Sequence, residues 1–184
     1  MERRLLAAVL ISGGMLCLPA PAWADGFIAP YFGVNFSGDT TKNSLNFGGS
    51  VGHLGKSAGF EVDFGYTPAF FGSDAQQVDG KAATLMSNVL VGGRRHGASP
   101  YIVIGVGLIR TDVSGVADIL DIHATKNNWG GNVGGGMFVG SGKVTFRGDV
   151  RYFKSFESFG HITEIITGDK LGFWRATAGI GLMW

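Results

Sequence analysis

Residues 144–153 read VTFRGDVRYF. Val144, Phe146, Val150 and Tyr152 share one parity with Gly148, while Thr145, Arg147, Asp149, Arg151 and Phe153 share the other. A period of two is the signature of a β-strand, whose successive side chains point to opposite faces. The stretch therefore predicts a strand with one large apolar face and one face that carries three charges. Gly59–Tyr66, GFEVDFGY, repeats the pattern, with Phe60, Val62, Phe64 and Tyr66 opposing Glu61 and Asp63. So does the final stretch, where Trp174, Ala176, Ala178, Ile180, Leu182 and Trp184 oppose Phe173, Arg175, Thr177, Gly179, Gly181 and Met183.

Working outward from these three, the same alternation predicts eight strands, at 27–36, 45–53, 59–66, 81–91, 100–110, 128–139, 144–153 and 172–184. The fourth is ambiguous in its faces, and the fifth is nearly apolar on both. Seven connections of 8, 5, 14, 8, 17, 4 and 18 residues separate them, the odd-numbered ones long and the even-numbered ones short. Membrane barrels have short turns on one side and long loops on the other, with the termini of an even-stranded barrel on the short-turn side. The expected fold is all-β, an eight-stranded antiparallel up-and-down transmembrane β-barrel.

Alternation alone does not say which face is inside, since a lipocalin-type barrel buries its apolar face and a membrane barrel exposes it. Glycine favours the second arrangement. Gly48, Gly52, Gly65, Gly105, Gly107, Gly134, Gly136, Gly179 and Gly181 lie on the face opposite the large apolar residues. On a solvated surface they would weaken strands without gain, whereas in a narrow lumen they make room for long polar side chains. Closing the first strand onto the eighth then removes the open edges that lipid does not tolerate, and it puts Trp184 at the periplasmic interface, where tryptophan is favoured. Tyr66, Trp129 and Trp174 are expected to form the opposite girdle.

The front of the chain has a different character. Arg3 and Arg4 precede an apolar run from Leu5 to Leu18, and Ala22-Trp23-Ala24 fits a small-residue cleavage site, so residues 1–24 are expected to be a cleaved signal peptide and 25–184 the barrel domain. Cys17, the single cysteine, falls in that apolar run, which excludes a disulfide scaffold for the remainder. Of the chain's 15 basic and 14 acidic residues, Arg3, Arg4 and Glu2 belong to the leader, so the remainder is balanced at 13 of each and has no basic footprint for nucleic acid.

Ser99–Leu108 (SPYIVIGVGL), Asn132–Gly140 (NVGGGMFVG) and Val144–Phe153 together resemble the outer-membrane β-barrel domain family, the small eight-stranded barrels similar to the transmembrane part of outer-membrane protein A. The resemblance covers residues 25–184 and implies location in the cell outer membrane. It also implies that the terminal GIGLMW, through Ile180, Leu182 and Trp184, is an assembly signal read by the barrel-assembly machinery. The implied partners are outer-membrane lipid and that machinery, with an extracellular ligand at the loops as a further expectation.

Six charges are assigned to the lumen: Glu61, Asp63, Arg147, Asp149, Arg151 and Arg175. Balanced in sign, they suit an ion-pair network that plugs the barrel, because an unpaired buried charge is very costly and eight strands enclose only enough space for side chains. The alternative is a gated water path, which would make the protein a narrow passive channel. His53, His96, His123 and His161 have no metal-ligand spacing and read as surface residues. Glu157, Ser158, His161 and Glu164 are acyl-transfer residue types, as a lipid A-modifying enzyme would need, but they fall in the longest connection, where nothing fixes a base beside a nucleophile. Arg94 and Arg95 read as a solvated turn. The long loops contain PAFF, VADILDI and HITEII, more apolar than free loops, so they are expected either to extend strands above the membrane or to present a binding surface, and VADILDI is a candidate short helix. The expectation is a non-catalytic protein without cofactor or metal, with a structural or surface-interaction role. The channel is the first alternative, and the lipid A enzyme and a lipocalin-like binder follow.

Overall fold

The computed structural model describes residues 25–38, 43–70, 78–92, 97–117, 120–140, 142–156 and 171–184. It contains eight strands: β1 (Asp25–Gly38), β2 (Ser44–Leu54), β3 (Ala58–Thr67), β4 (Val78–Gly92), β5 (Ala98–Ala117), β6 (Leu120–Val139), β7 (Val144–Ser155) and β8 (Gly172–Met183). Each pairs antiparallel with the next, and β1 pairs with β8, so the sheet closes into a barrel.

The register fixes the shape. A row followed from Gly26 through His53, Phe60, Val89, Ile104, Val133, Tyr152 and Trp174 returns to β1 at Phe36, ten residues further along. An eight-strand barrel with such a stagger has strands tilted by roughly 35–45° to its axis and a lumen that side chains can fill. The β1–β8 ladder skips Ala29 and Pro30, where proline has no N–H to give. Beside that gap, an open apolar groove of about 350 Å³ runs over Gly49 on the outer wall, lined by Ile28, Pro30, Val51, Val62 and Phe64.

The two faces are inverted relative to a soluble barrel. Phe146 is 69 % exposed and Phe32 and Ile102 are 64 % exposed, while Glu61 and Asp63 are completely buried. The apolar belt therefore faces outward, which overturns the lipocalin-like alternative. The ambiguous fourth strand turns Thr84, Met86, Asn88 and Leu90 inward, and the fifth turns Tyr101, Val103, Ile109 and Thr111 inward.

Two sequence expectations need correction. The 17-residue loop expected between the fifth and sixth strands is mostly strand, because β5 continues to Ala117 and β6 starts at Leu120. VADILDI accordingly contributes strand residues at both its ends and forms no helix among the described residues. Apolar and β-branched residues there fit a paired ribbon, and with β5 and β6 aligned, Gly115↔Ile122 and Ala117↔Leu120 simply extend the ladder. His123 thus lies in a strand and not in a loop, while Trp129, expected near a strand end, sits midway along β6. The second correction concerns PAFF, read as part of an apolar loop that presents a surface. Phe70 turns back and is completely buried in the barrel mouth, its N–H bonded to the Gly80 carbonyl at 2.7 Å.

Candidate functional site

The lumen has three layers. Towards the short-turn end, Phe27, Ala29, Leu54, Leu90, Tyr101, Val103 and Phe138 form an apolar plug. Towards the loop end, Phe70, Ala82, Met86, Ile109, Phe153, Leu171 and Phe173 form another, with Phe153 stacked on Phe173 and Phe70 edge-on to the same ring. Strand alternation places the polar side chains between them.

All six charges assigned to the lumen meet in that middle layer, in two groups. Glu61 on β3 lies 2.5 Å from Arg147 and 2.9 Å from Arg151, and Asp149 on β7 lies 3.1 and 3.0 Å from the same two guanidinium groups. Two cations and two anions thus alternate in a closed ring. The second group is Arg175 on β8 with Asp63 on β3, at 2.5 Å. Arginine suits both groups, because its planar fork can serve two carboxylates at once.

Neutral side chains complete the layer. Asn88 donates to Glu61 at 2.9 Å, and Asn132 donates to Asn88 at 2.8 Å. Tyr101 accepts from Arg147 at 2.8 Å and donates to Asp149 at 3.0 Å, while Thr177 donates to Asp149 at 3.1 Å. Arg147 also donates to Ser50, and Arg175 donates to Thr84 at 3.2 Å. Higher in the lumen, Asn35 and Asn46 both donate to Thr67. Thr177 was placed on the inner face from sequence, whereas Thr84, Asn88 and Tyr101 were not, because β4 and β5 do not show their inner face by polarity. Once the register is known, strand parity finds them.

The charged layer is anchored to the plugs by its aromatic neighbours. Arg147 sits 5.0–5.5 Å from the ring centres of Phe138, Tyr101 and Phe27, and Arg175 lies 4.4 Å from the centre of Phe153 and 5.3 Å from that of Tyr31. Both are within the range of a cation–π attraction. Glycines supply the room. A Cβ on Gly65 would meet the Arg175 guanidinium, and one on Gly136 would meet Asp149 and the Tyr101 hydroxyl.

The remaining sequence candidates lie elsewhere. Ile180, Leu182 and Trp184 face outward, 48 %, 46 % and 69 % exposed. The backbone of Trp184 pairs in both directions with Gly26, at 3.0 and 3.1 Å, and its indole covers the place where a Cβ on Gly26 would stand. His53 is on the outer row of β2 beside Phe60, their ring centres 6.5 Å apart. Arg94, Arg95, His96, Glu157, Ser158, His161 and Glu164 lie outside the described residues. No cluster of metal-ligating side chains occurs among the described residues.

Comparison with known proteins agrees with this architecture. Residues 8–184 match the family model described as the outer membrane protein beta-barrel domain. No curated protein matches. Among solved structures, Neisserial surface protein A is similar over 88 % of this chain and 99 % of its own, at 15 % identity and a TM-score of 0.62. The N-terminal β-barrel domain of Pseudomonas aeruginosa OprF is similar over 87 % and 97 %, at 16 % identity and a TM-score of 0.54. Ail, the attachment invasion locus protein of Yersinia pestis, in complex with the heparin analogue sucrose octasulfate, is similar over 88 % and 98 %, at 16 % identity and a TM-score of 0.57. At these identities the structural likeness speaks for the fold, and with the family match over nearly the whole chain it settles the assignment: this protein belongs to the outer-membrane β-barrel domain family.

Proposed function

We propose that this barrel is a non-catalytic, non-conducting outer-membrane protein with a structural role, which holds its loop end, including the upper β5–β6 ribbon, at the cell surface for contact outside the cell. The observation that carries the reading is the filled lumen. An ion-pair layer whose side chains are all within 3 % of full burial lies between two apolar plugs. A solute would have to displace Phe138 and Phe153 and also part charges that are buried together with their partners. The attachment role from which Ail takes its name is in keeping with surface contact on the same barrel plan.

Planar bilayers that contain the purified protein test the reading. They are expected to stay silent, and stepwise conductance that changes on Arg147→Met would overturn it in favour of the channel. Absence of catalysis is tested on lipid A itself. Mass spectra with and without expression should coincide, and a mass shift of one acyl group would contradict the proposal. Biogenesis in this reading begins with export and cleavage after Ala24, which the mass of the mature protein checks. It ends with recognition of Ile180, Leu182 and Trp184 by the assembly machinery.

A further inference from the structure

Gly49 is a glycine that the barrel's own packing does not require. On the same strand, a Cβ on Gly48 or Gly52 would stand 2.2 or 2.1 Å from a carbonyl oxygen of β3, so neither position has room for a side chain. Gly49 faces outward, and the nearest atoms to a Cβ there, the Ala29 carbonyl oxygen and the Pro30 Cα, would lie at 3.7 Å, an ordinary van der Waals distance. Glycine weakens a strand interior, and it often marks a place where a ligand or another backbone comes close. Here its missing side chain leaves the floor of the outer-wall groove of about 350 Å³.

The register sets this groove within the apolar belt. Pro30, Gly49 and Phe64 form one outward row, and Ile28, Val51 and Val62 form the next towards the short-turn end. Both rows line the groove. On the loop side follows the row of Phe32, Phe47 and Tyr66, three exposed rings. On the short-turn side follows the row of Gly26, His53 and Phe60, with the Trp184 indole over Gly26. Tryptophan marks the interface level of a membrane, and short turns face the periplasm in barrels of this kind. The groove therefore abuts the periplasmic leaflet, while three rings wall it off from the outer one.

Hydrocarbon is what meets this part of the wall. The bilayer core has no water to fill a hollow, and a hollow left empty forfeits the dispersion contacts of its lining. A second copy of the chain does not supply them. Copies of a membrane barrel insert in the same sense, so a two-fold contact at this face would set hollow against hollow. A flexible methylene chain can fill it. We propose that the groove over Gly49 seats one acyl chain of a phospholipid, as a discrete site on a wall that elsewhere meets lipid without preference. The apolar lining is continuous with the belt that already faces the membrane, so the chain enters from the bilayer itself.

The test places the full-length mature chain in phosphatidylcholine vesicles, with the gel shift between unboiled and boiled samples as the check of folding. A trace of the same lipid carries a photoreactive diazirine on its acyl chain, and the residues labelled on irradiation are mapped by mass spectrometry. Each carbon–carbon contact is weak, but about ten of them together amount to about a five-fold preference. Label at Val51 and Phe64 is thus expected to exceed by that factor the label at Ile104 and Val133, comparably exposed on the far wall. Gly49→Leu, which fills the hollow without a clash at its Cβ, should abolish the excess. If that variant does not fold, Val51→Trp, on the exposed rim, should do the same. Even labelling of the wild type would overturn the proposal, as would an excess that a folded Gly49→Leu variant retains. Val51→Cys, in a mature chain with no other cysteine, should stay monomeric under oxidation. Disulfide-linked dimers that Gly49→Leu abolishes would assign the hollow to a second copy and overturn the lipid assignment.

Discussion

At the scale of single residues, Asp63 and Arg175 are the clearest example of how this lumen is held. Both side chains are 1 % exposed, and they stand 2.5 Å apart. Removing one partner leaves the other charge buried alone, so Asp63→Ala is expected to cost about 3–5 kcal/mol, whereas replacing both with apolar residues is often close to neutral. Urea unfolding of the barrel in lipid vesicles should therefore show Asp63→Leu/Arg175→Leu to be more stable than Asp63→Leu alone. A double variant as unstable as the single one would mean that the pair is not the main tie, and that Arg175 acts mostly through Phe153 and Tyr31. Gly65 belongs to the same unit. Gly65→Val is expected to displace the Arg175 guanidinium and to lower the urea midpoint by a similar mechanism, without affecting the Glu61 ring. The charged partners were legible in sequence, because Glu61, Asp63, Arg147, Asp149, Arg151 and Arg175 alternate with large apolar residues in strands of unmistakable period. Which anion meets which cation was not legible, because pairing depends on the register between strands distant in sequence: Asp63 and Arg175 are 112 residues apart.

At the scale of elements, the β5–β6 hairpin behaves as two pieces. From Ala98 to Arg110 and from Asn127 to Val139 it belongs to the barrel wall, with β4 and β7 as neighbours. Beyond Asp112 and Thr125 it is a ribbon that pairs within itself and with the start of β4, and β7 reaches only as far as Gly130. The wall does not depend on that ribbon. Replacing residues 113–124 with a short turn is thus expected to leave a barrel that still shifts on the gel after boiling. Loss of the shift would mean that the ribbon is needed to set the β5–β6 register. From sequence the ribbon was legible only as one alternative, strand extension above the membrane, beside a loop or short helix, and the reason is physical. Gly115, Asp118 and Asp121 carry turn chemistry, and a continuous partner strand outweighs such local preference once the two halves are aligned in register.

At the scale of the molecule, closure is the decisive event. Gly26 and Trp184 form the lower end of the β1–β8 seam. A Cβ on Gly26 would lie 2.6 Å from the indole. Trp184→Asp is expected to reduce the amount of heat-modifiable barrel in the membrane fraction far more than a comparable change in an exposed turn, such as Lys143→Asp. Gly26→Val should act in the same direction by pushing the indole away, and adding it to Trp184→Ala should cause little further loss, because the group it displaces is already gone. Normal membrane levels of Trp184→Asp would remove the seam from its proposed role. A clear additional loss in the double variant would show instead that Gly26 acts on the strand itself.

What the sequence determined by itself was the strand period, the eight-strand count and the separation of charges and glycines from large apolar residues onto opposite strand faces. These are properties of alternation along one strand, and alternation is written locally. Tertiary structure decided the pairing of charges, the two aromatic plugs and the height of the β5–β6 ribbon. Each of these depends on the ten-residue stagger between the ends of a closed sheet, and that stagger is a property of all eight strands at once.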